Sequence, residues 1–158
     1  MKTFAKIIIP AIMVLAVFSA CKSAPKFSDI TGKEWRLIEI RTDPRNIIYD
    51  RKDLEADGYG NIFTLNFDAE RLSGTGAPNR YMAPYTLGED QSITVQPIAG
   101  TLMAAFREPE RLKEHDYFTY MENVYKWNYD KKAKQMELYS KNANEKEAVL
   151  VYSLGKAK

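Results

Sequence analysis

The side chains that could do chemistry in this chain are few and lie far apart in the sequence. Cys21 is the only cysteine and His115 the only histidine among 158 residues. His115 stands between Glu114 and Asp116, without a second histidine or cysteine to complete a metal site. A lone imidazole on a helix is far more often a surface residue than a ligand. The sequence therefore predicts neither a bound metal nor another cofactor.

The common catalytic arrangements are also missing from the sequence. A serine–histidine–acid set needs a nucleophile beside the imidazole, and the neighbours of His115 are two acids. The paired carboxylates Glu89 and Asp90 fall in a polar turn, where solvation explains them. Gly74 and Gly76 suggest a phosphate loop, but neither a Lys-Ser/Thr pair nor a helical pattern follows them. We predict that the protein is not an enzyme.

The residues before Cys21 indicate a specific modification of its thiol. Two lysines precede an apolar run over residues 7–18, and Ser-Ala then leads into the cysteine. This order is typical of a secretory signal peptide, and the run is too short to span a bilayer comfortably. A thiol placed there can form a thioether with diacylglycerol. We therefore predict a signal peptide over 1–20 and lipidation of Cys21, with an uncleaved anchor or plain secretion as alternatives.

Charge and cysteine content indicate the compartment in which the protein works and the partners that it can bind. Lys2 and Lys6 account for the formal net charge of +2, so the chain after residue 20 is near neutral. Nucleic-acid binding would show as a basic face, and none is predicted. The mature domain has no cysteine for a disulfide and must be stable without one. We expect a lipid-anchored envelope protein on the periplasmic face of the outer membrane, held there by more than one acyl chain.

The elements that must position the remaining residues are mostly short strands. Residues 21–30 form a polar tether, and residues 31–154 form one domain, long enough to bury about two-thirds of its unfolded surface. Period-two alternation marks half-buried strands. It slips at Ile38, which suggests a bulge, and Trp35 is predicted to be core. Residues 42–60 are interpreted as a long loop or an inserted short strand. The predicted strands are 34–40, 62–68, 72–74, 81–87, 92–96, 127–129, 135–139 and 147–154.

Several residues of the central segment have predicted local roles. Gly74 and Gly76 indicate a bulge or a close approach of backbone. Asn79 is typical of a turn and is expected to satisfy buried backbone groups rather than to catalyse. Arg80 is either an anion ligand or a solvated charge, and we favour the second. Pro84 moves its strand toward an edge of the sheet.

One substantial helix is predicted in the second half of the chain. Pro109 suits its first turn, and Glu108 and Glu110 complement the positive end of its dipole. Met103 and Phe106, just before it, are predicted to be core. Apolar residues at helical spacing form its buried face: Leu112, Tyr117, Met121, Val124 and Tyr125.

These residues together resemble a known family, the META domain, also called the HslJ-like domain of bacterial envelope lipoproteins. Its pattern runs Gly-x-x-x-Cys-Asn-x-Tyr, then Tyr, Thr-x-Met-Ala-Cys and Glu-x-x-Phe-x-x-x-Leu-x-x-Val. Pro78 and Ala105 occupy the two cysteine positions, and the resemblance implies that their side chains are neighbours. The positions that carry the resemblance, as structural residues, are Gly74, Gly76, Asn79, Tyr81, Tyr85, Thr101, Met103, Glu114, Tyr117, Met121 and Val124.

The resemblance implies a fold and a range of functions. The fold is α+β, a mostly antiparallel, partly open β-barrel of about eight strands with one packed helix. The family has no common catalytic site to carry over. It implies an envelope protein that supports envelope maintenance or stress tolerance through protein contacts. The alternative is a lipid- or peptide-binding module that uses the crack of the barrel, where the ten tyrosines would supply amphipathic walls.

Overall fold

The computed structural model describes residues 24–43, 46–56, 58–103 and 108–155. The predicted signal peptide and Cys21 lie outside these residues. The helical segments are a 3₁₀ turn at Phe27–Asp29, α1 at Arg51–Ala56 and α2 at Glu114–Glu122. The strands are β1 (Trp35–Asp43), β2 (Asn46–Asp50), β3 (Thr64–Phe67), β4 (Arg71–Thr75), β5 (Arg80–Leu87), β6 (Ile93–Val95), β7 (Ala99–Gly100), β8 (Lys126–Asp130), β9 (Gln135–Lys141) and β10 (Glu147–Leu154).

The ten described strands form one antiparallel sheet that curls into a partly open barrel. Its order is β6-β5-β4-β3-β1-β10-β9-β8, with β2 added to β1 and β7 added to β5. The first and last strands of this order meet at a single bridge between Ser92 and Lys126. Beside it, the Trp127 N–H donates to the Gln91 carbonyl at 3.0 Å. The predicted fold class is confirmed, and the two short strands β2 and β7 account for the higher strand number.

The alternation in the sequence explains which side chains enter the core. Leu65 and Phe67 of β3 are fully buried, while the alternating residues Thr64 and Asn66 are only partly buried. Trp35 is also fully buried, as predicted, and its indole N–H donates to the Ile30 carbonyl at 2.8 Å. The pairing of β1 with β10 shifts register between Leu37 and Glu39. The slip of the pattern at Ile38 is therefore a bulge.

The barrel has two distinguishable ends. At one end, which we call the tether end, the Phe27 ring packs on Phe67, Tyr85 and Trp127 with centroid distances of 5.2, 5.4 and 5.1 Å. At the other end, the helix end, α2 covers the core with the fully buried Tyr117. The chain thus enters the described domain at the end opposite to the one that α2 covers.

The predicted helix is shorter than expected at both ends. It begins at Glu114 instead of near Pro109, because Lys113 is extended and occupies the N-cap position, without a side-chain capping bond. It ends at Glu122, and the next residues already pair with the sheet: the Tyr125 N–H donates to the Tyr139 carbonyl at 3.0 Å. Tyr125 is therefore exposed, and its assignment to the buried face was wrong.

Two further local expectations are corrected. Met103 was expected in the core but is 60% exposed, because a hydrogen bond holds its backbone at the surface; Phe106 lies outside the described residues. Pro84 does not mark an edge, since β5 lies between β4 and the pair β6 and β7. It stands between the residues that pair with β6 and those that pair with β7, where its strand changes neighbour. A missing N–H is tolerated at such a gap.

Candidate functional site at the helix end of the barrel

A buried carboxylate, that of Glu114, organises the helix end. Glu114 is 8% exposed. One of its oxygens, Oε1, accepts the backbone N–H groups of Ala77 and Asn79 at 2.5 and 2.7 Å, and Oε2 accepts Asn79 Nδ2 at 2.6 Å. No ion pair to it exists among the described residues. Three N–H donors therefore stabilise this charge in place of a cation.

Gly76 is needed for this contact. A Cβ atom at Gly76 would lie 2.4 Å from Glu114 Oε1, closer than real Cβ contacts occur. Gly74, within β4, meets a similar limit, because a Cβ atom there would lie 1.9 Å from the Thr64 carbonyl oxygen. Both glycines thus allow a close approach of backbone, one of the two roles that the sequence suggested.

Asn79 also connects the Glu114 carboxylate to the exposed loop 101–103 through hydrogen bonds. Its Oδ1 accepts the Thr101 hydroxyl at 2.9 Å and the Met103 N–H at 2.7 Å. The Thr101 N–H donates in turn to the Arg80 carbonyl at 2.9 Å. Between these fixed points the Leu102 side chain is fully exposed. The helix end therefore presents apolar side chains on a backbone that the buried network holds in place.

The tyrosines of the motif form a buried chain of hydroxyl groups. The Tyr81 hydroxyl donates to the Thr64 carbonyl at 2.8 Å and lies 2.8 Å from that of Tyr117. The Tyr117 hydroxyl lies 3.1 Å from that of Tyr152, which also donates to Met121 Sδ at 3.2 Å. Burial raises the pKa of Tyr117 to about 12 and the pKa of Tyr81 and of Tyr152 well above the usual 10. At neutral pH these phenols are uncharged hydrogen-bonding groups.

The other motif residues lie apart from this network. Tyr85 belongs to the tether end, where its hydroxyl donates to the Asp68 carbonyl at 2.5 Å. Val124 is buried just beyond the end of α2, and Arg80 is exposed, as expected for a solvated charge. Ala105 lies outside the described residues, so its contact with Pro78 stays a prediction.

The chemistry of the helix end is that of hydrogen bonding. His115 is exposed and is not part of the network. In the described ranges, no group of three or more histidine, cysteine, aspartate or glutamate side chains could hold a metal ion. The described helices also include none with the length and apolarity needed to cross a membrane.

Two features of this end could not be read from the sequence. The partnership of Glu114 with Asn79 joins residues 35 positions apart, and only the family pattern placed both among the important positions. Arg51 was missed altogether, because a charged residue in an irregular segment normally points into solvent. It is 7% exposed in the structure.

A cavity also opens at the helix end. It has a volume of about 290 Å³ and lies between β2, the start of α2 and residues 142–144. Ile40, Ile48 and Leu112 give it an apolar floor, and polar groups of Arg111 and Asp116 stand at its rim. This cavity is on the surface, whereas large side chains fill the interior of the barrel.

Fold and site together define a small antiparallel barrel whose motif residues join a loop, a strand and a helix. The family model of the META domain matches residues 28–153, and the chain belongs to this family. A crystal structure of a DUF4847 family protein from Bacteroides vulgatus ATCC 8482 is similar in fold, with a TM-score of 0.52 and 11% sequence identity. The match covers 83% of this chain and 98% of that one. A comparison with curated protein sequences finds no match.

Proposed function

We propose that this chain is a lipid-anchored envelope protein of the META domain family that acts through protein contacts and without catalysis. The observation that carries the proposal is the loop 101–103, in which Leu102 is fully exposed and Met103 60% exposed. Large apolar groups in contact with water favour association. The network through Asn79 fixes the loop backbone, so less conformational entropy is lost when a partner binds.

The position of this loop on the barrel supports the proposal. It pairs with Arg80 at the start of β5, whereas Phe27 packs on Tyr85 further along the same strand. A lipid anchor at Cys21 would attach through the Phe27 end. The exposed loop would then face away from the membrane, toward proteins of the envelope. A role in envelope maintenance or stress tolerance is part of this proposal and rests on family membership.

A photo-crosslinking experiment in intact cells tests the contact. The full chain would carry p-benzoylphenylalanine in place of Leu102, and a matched chain would carry it in place of Lys132, which is exposed in the turn at the tether end. We expect a discrete crosslinked protein from position 102 and not from position 132. Equal or absent crosslinking at both positions contradicts the proposal.

A second candidate is the lipid- or peptide-binding module. The observation in its favour is the 290 Å³ cavity beside β2, with its apolar floor and polar rim. The packed interior of the barrel offers an acyl chain no comparable space, so a short peptide suits this candidate better. A mass spectrum of the lipid extract from purified protein tests the lipid form of this candidate, since a co-purifying acyl ligand would favour a lipid site.

A further inference from the structure

Arg51 closes a gap in the sheet where β1 changes its partner. β1 pairs with β3 at its first two residues and with β2 from Glu39 onward. In the gap, Arg51 donates Nε to the Leu37 carbonyl at 2.5 Å, and its terminal nitrogens donate to the carbonyls of Gly60 and Ile62 at 3.1 and 2.8 Å. A guanidinium has five N–H groups. One N–H on each terminal nitrogen is therefore still available.

The positive charge of Arg51 has no counter-charge in contact with it. Among the described residues no carboxylate forms an ion pair with Arg51, although the side chain is buried. Burying an unpaired charge is unfavourable by several kcal/mol, and neutral carbonyls offset only part of this. Burial lowers the pKa of Arg51; Tyr49 and Glu55 act against this shift, and the charge of Arg36 adds to it. A bound anion would offset these unfavourable contributions with an opposite charge.

Arg36 supplies a second guanidinium to the same place. Its Nε is buried and has no hydrogen-bond partner in the described part of the chain. Its only ion pair there is with Glu34, at 3.5 Å. Arg36 and Arg51 together line a cavity of about 430 Å³ between α1 and the outer wall of β1 and β10. Two arginines that line one cavity thus each keep N–H donors without a partner in the described part of the chain.

The acids that line this cavity form no ion pair with Arg51 or Arg36 in the described part of the chain. Glu39 pairs with Arg41 at 2.7 Å, and Asp50 accepts the backbone N–H of Lys52 at 2.9 Å. Glu55 stands exposed at the rim.

We propose that the cavity beside α1 binds an oxyanion, a carboxylate or phosphate group, through Arg36 and Arg51. Guanidinium groups bind both kinds of oxyanion in the same fork geometry. The site is separate from the loop 101–103 and goes beyond the function proposed above. Its anion would neutralise the charge that links β1 to residues 60–62, which lead into β3, so binding would also stabilise the fold.

Nuclear magnetic resonance of the full mature chain tests the site directly, with Cys21→Ala in place so that no lipid anchor complicates the measurement. The probes are sodium phosphate and sodium acetate, each compared with chloride at equal ionic strength. We expect the Nε–H signals of Arg36 and Arg51 to move with a saturating dependence on at least one probe, and the melting temperature to rise with it. Signals that respond to no oxyanion more than to chloride would overturn the proposal.

Substitutions with opposite expected signs sharpen the test. Arg36→Gln should weaken oxyanion binding about tenfold while the protein without anion keeps or gains stability, because a repulsion with Arg51 is removed. Glu55→Gln should strengthen binding by about twofold. Arg71→Gln, an exposed arginine on β4, is the matched control for the loss of one charge. Equal weakening by Arg36→Gln and Arg71→Gln would mean nonspecific attraction and contradict the site.

The same measurement distinguishes free anions from lipid headgroups. Vesicles of phosphatidylglycerol and of phosphatidylcholine are added in a separate arm. A response to free phosphate or acetate alone assigns a soluble ligand, and a response to phosphatidylglycerol vesicles that Arg36→Gln removes assigns a headgroup. Should Arg36→Gln fail to fold, the wild-type Nε–H signals and Glu55→Gln still decide the outcome.

Discussion

Two buried charged side chains of the barrel, those of Glu114 and Arg51, have different kinds of hydrogen-bond partners. The Glu114 carboxylate accepts three N–H donors, two of them from the backbone. The Arg51 guanidinium donates to three backbone carbonyls. Three donors satisfy a compact carboxylate, whereas three acceptors leave two N–H groups of a guanidinium unused. The comparison teaches that a buried charged group can be essential to the fold and still have hydrogen-bond donors left for a ligand.

The largest effect that would test this comparison is expected from Glu114→Ala. The change leaves two backbone N–H groups and the Asn79 amide without acceptors, and we expect a loss of about 3–5 kcal/mol in the free energy of unfolding. Urea denaturation of the mature chain measures it. A loss below about 1 kcal/mol would show that water replaces the carboxylate, and that the network is not the basis of the helix end.

A double change, Pro78→Cys with Ala105→Cys, asks whether the exposed loop continues beside this network. The family resemblance implies that the two side chains are neighbours, and a disulfide between them should add roughly 3–4 kcal/mol by the chain-entropy model. The gain can be smaller because the proline is lost. Thiol titration in a Cys21→Ala background, with melting before and after reduction, measures it. Two thiols that stay free under oxidation would contradict the neighbourhood.

Arg51→Met should have a smaller effect than Glu114→Ala, although it removes as many hydrogen bonds. Three carbonyls lose their donor, but an uncompensated buried charge disappears with it. We expect a net loss of about 1–3 kcal/mol in the same denaturation assay. A loss as large as that of Glu114→Ala would mean that the charge of Arg51 is already compensated, which would weaken the case for an anion site.

The smallest effect on stability is expected at the exposed loop. Leu102→Ser removes a side chain that contacts water on all sides, so the free energy of unfolding should change by less than about 0.5 kcal/mol. Crosslinking of the partner, recorded from a neighbouring exposed position such as Met103, should nevertheless fall. A large loss of stability would show that Leu102 packs in the fold, and it would remove the basis of the proposed contact.

The sequence predicted the strands well because period-two alternation depends on neighbours in the chain. Leu65 and Phe67, for example, face inward as the pattern requires. It could not predict the start of α2, since the docking of Glu114 on the distant Asn79 decides which residue begins the helix. Nor could it predict the burial of Arg51, because the gap that this side chain fills exists only once three strands have assembled.

The distance between the two ends of the barrel limits how far the loop 101–103 can stand above the membrane. The six residues before Phe27, 21–26, reach at most about 20 Å. The eight residues of β5, tilted as barrel strands are, rise by roughly another 20 Å. With Cys21 in the lipid, the loop 101–103 would stand up to about 40 Å above the membrane surface. Proteins that extend up to that distance from the membrane would then be within reach of Leu102.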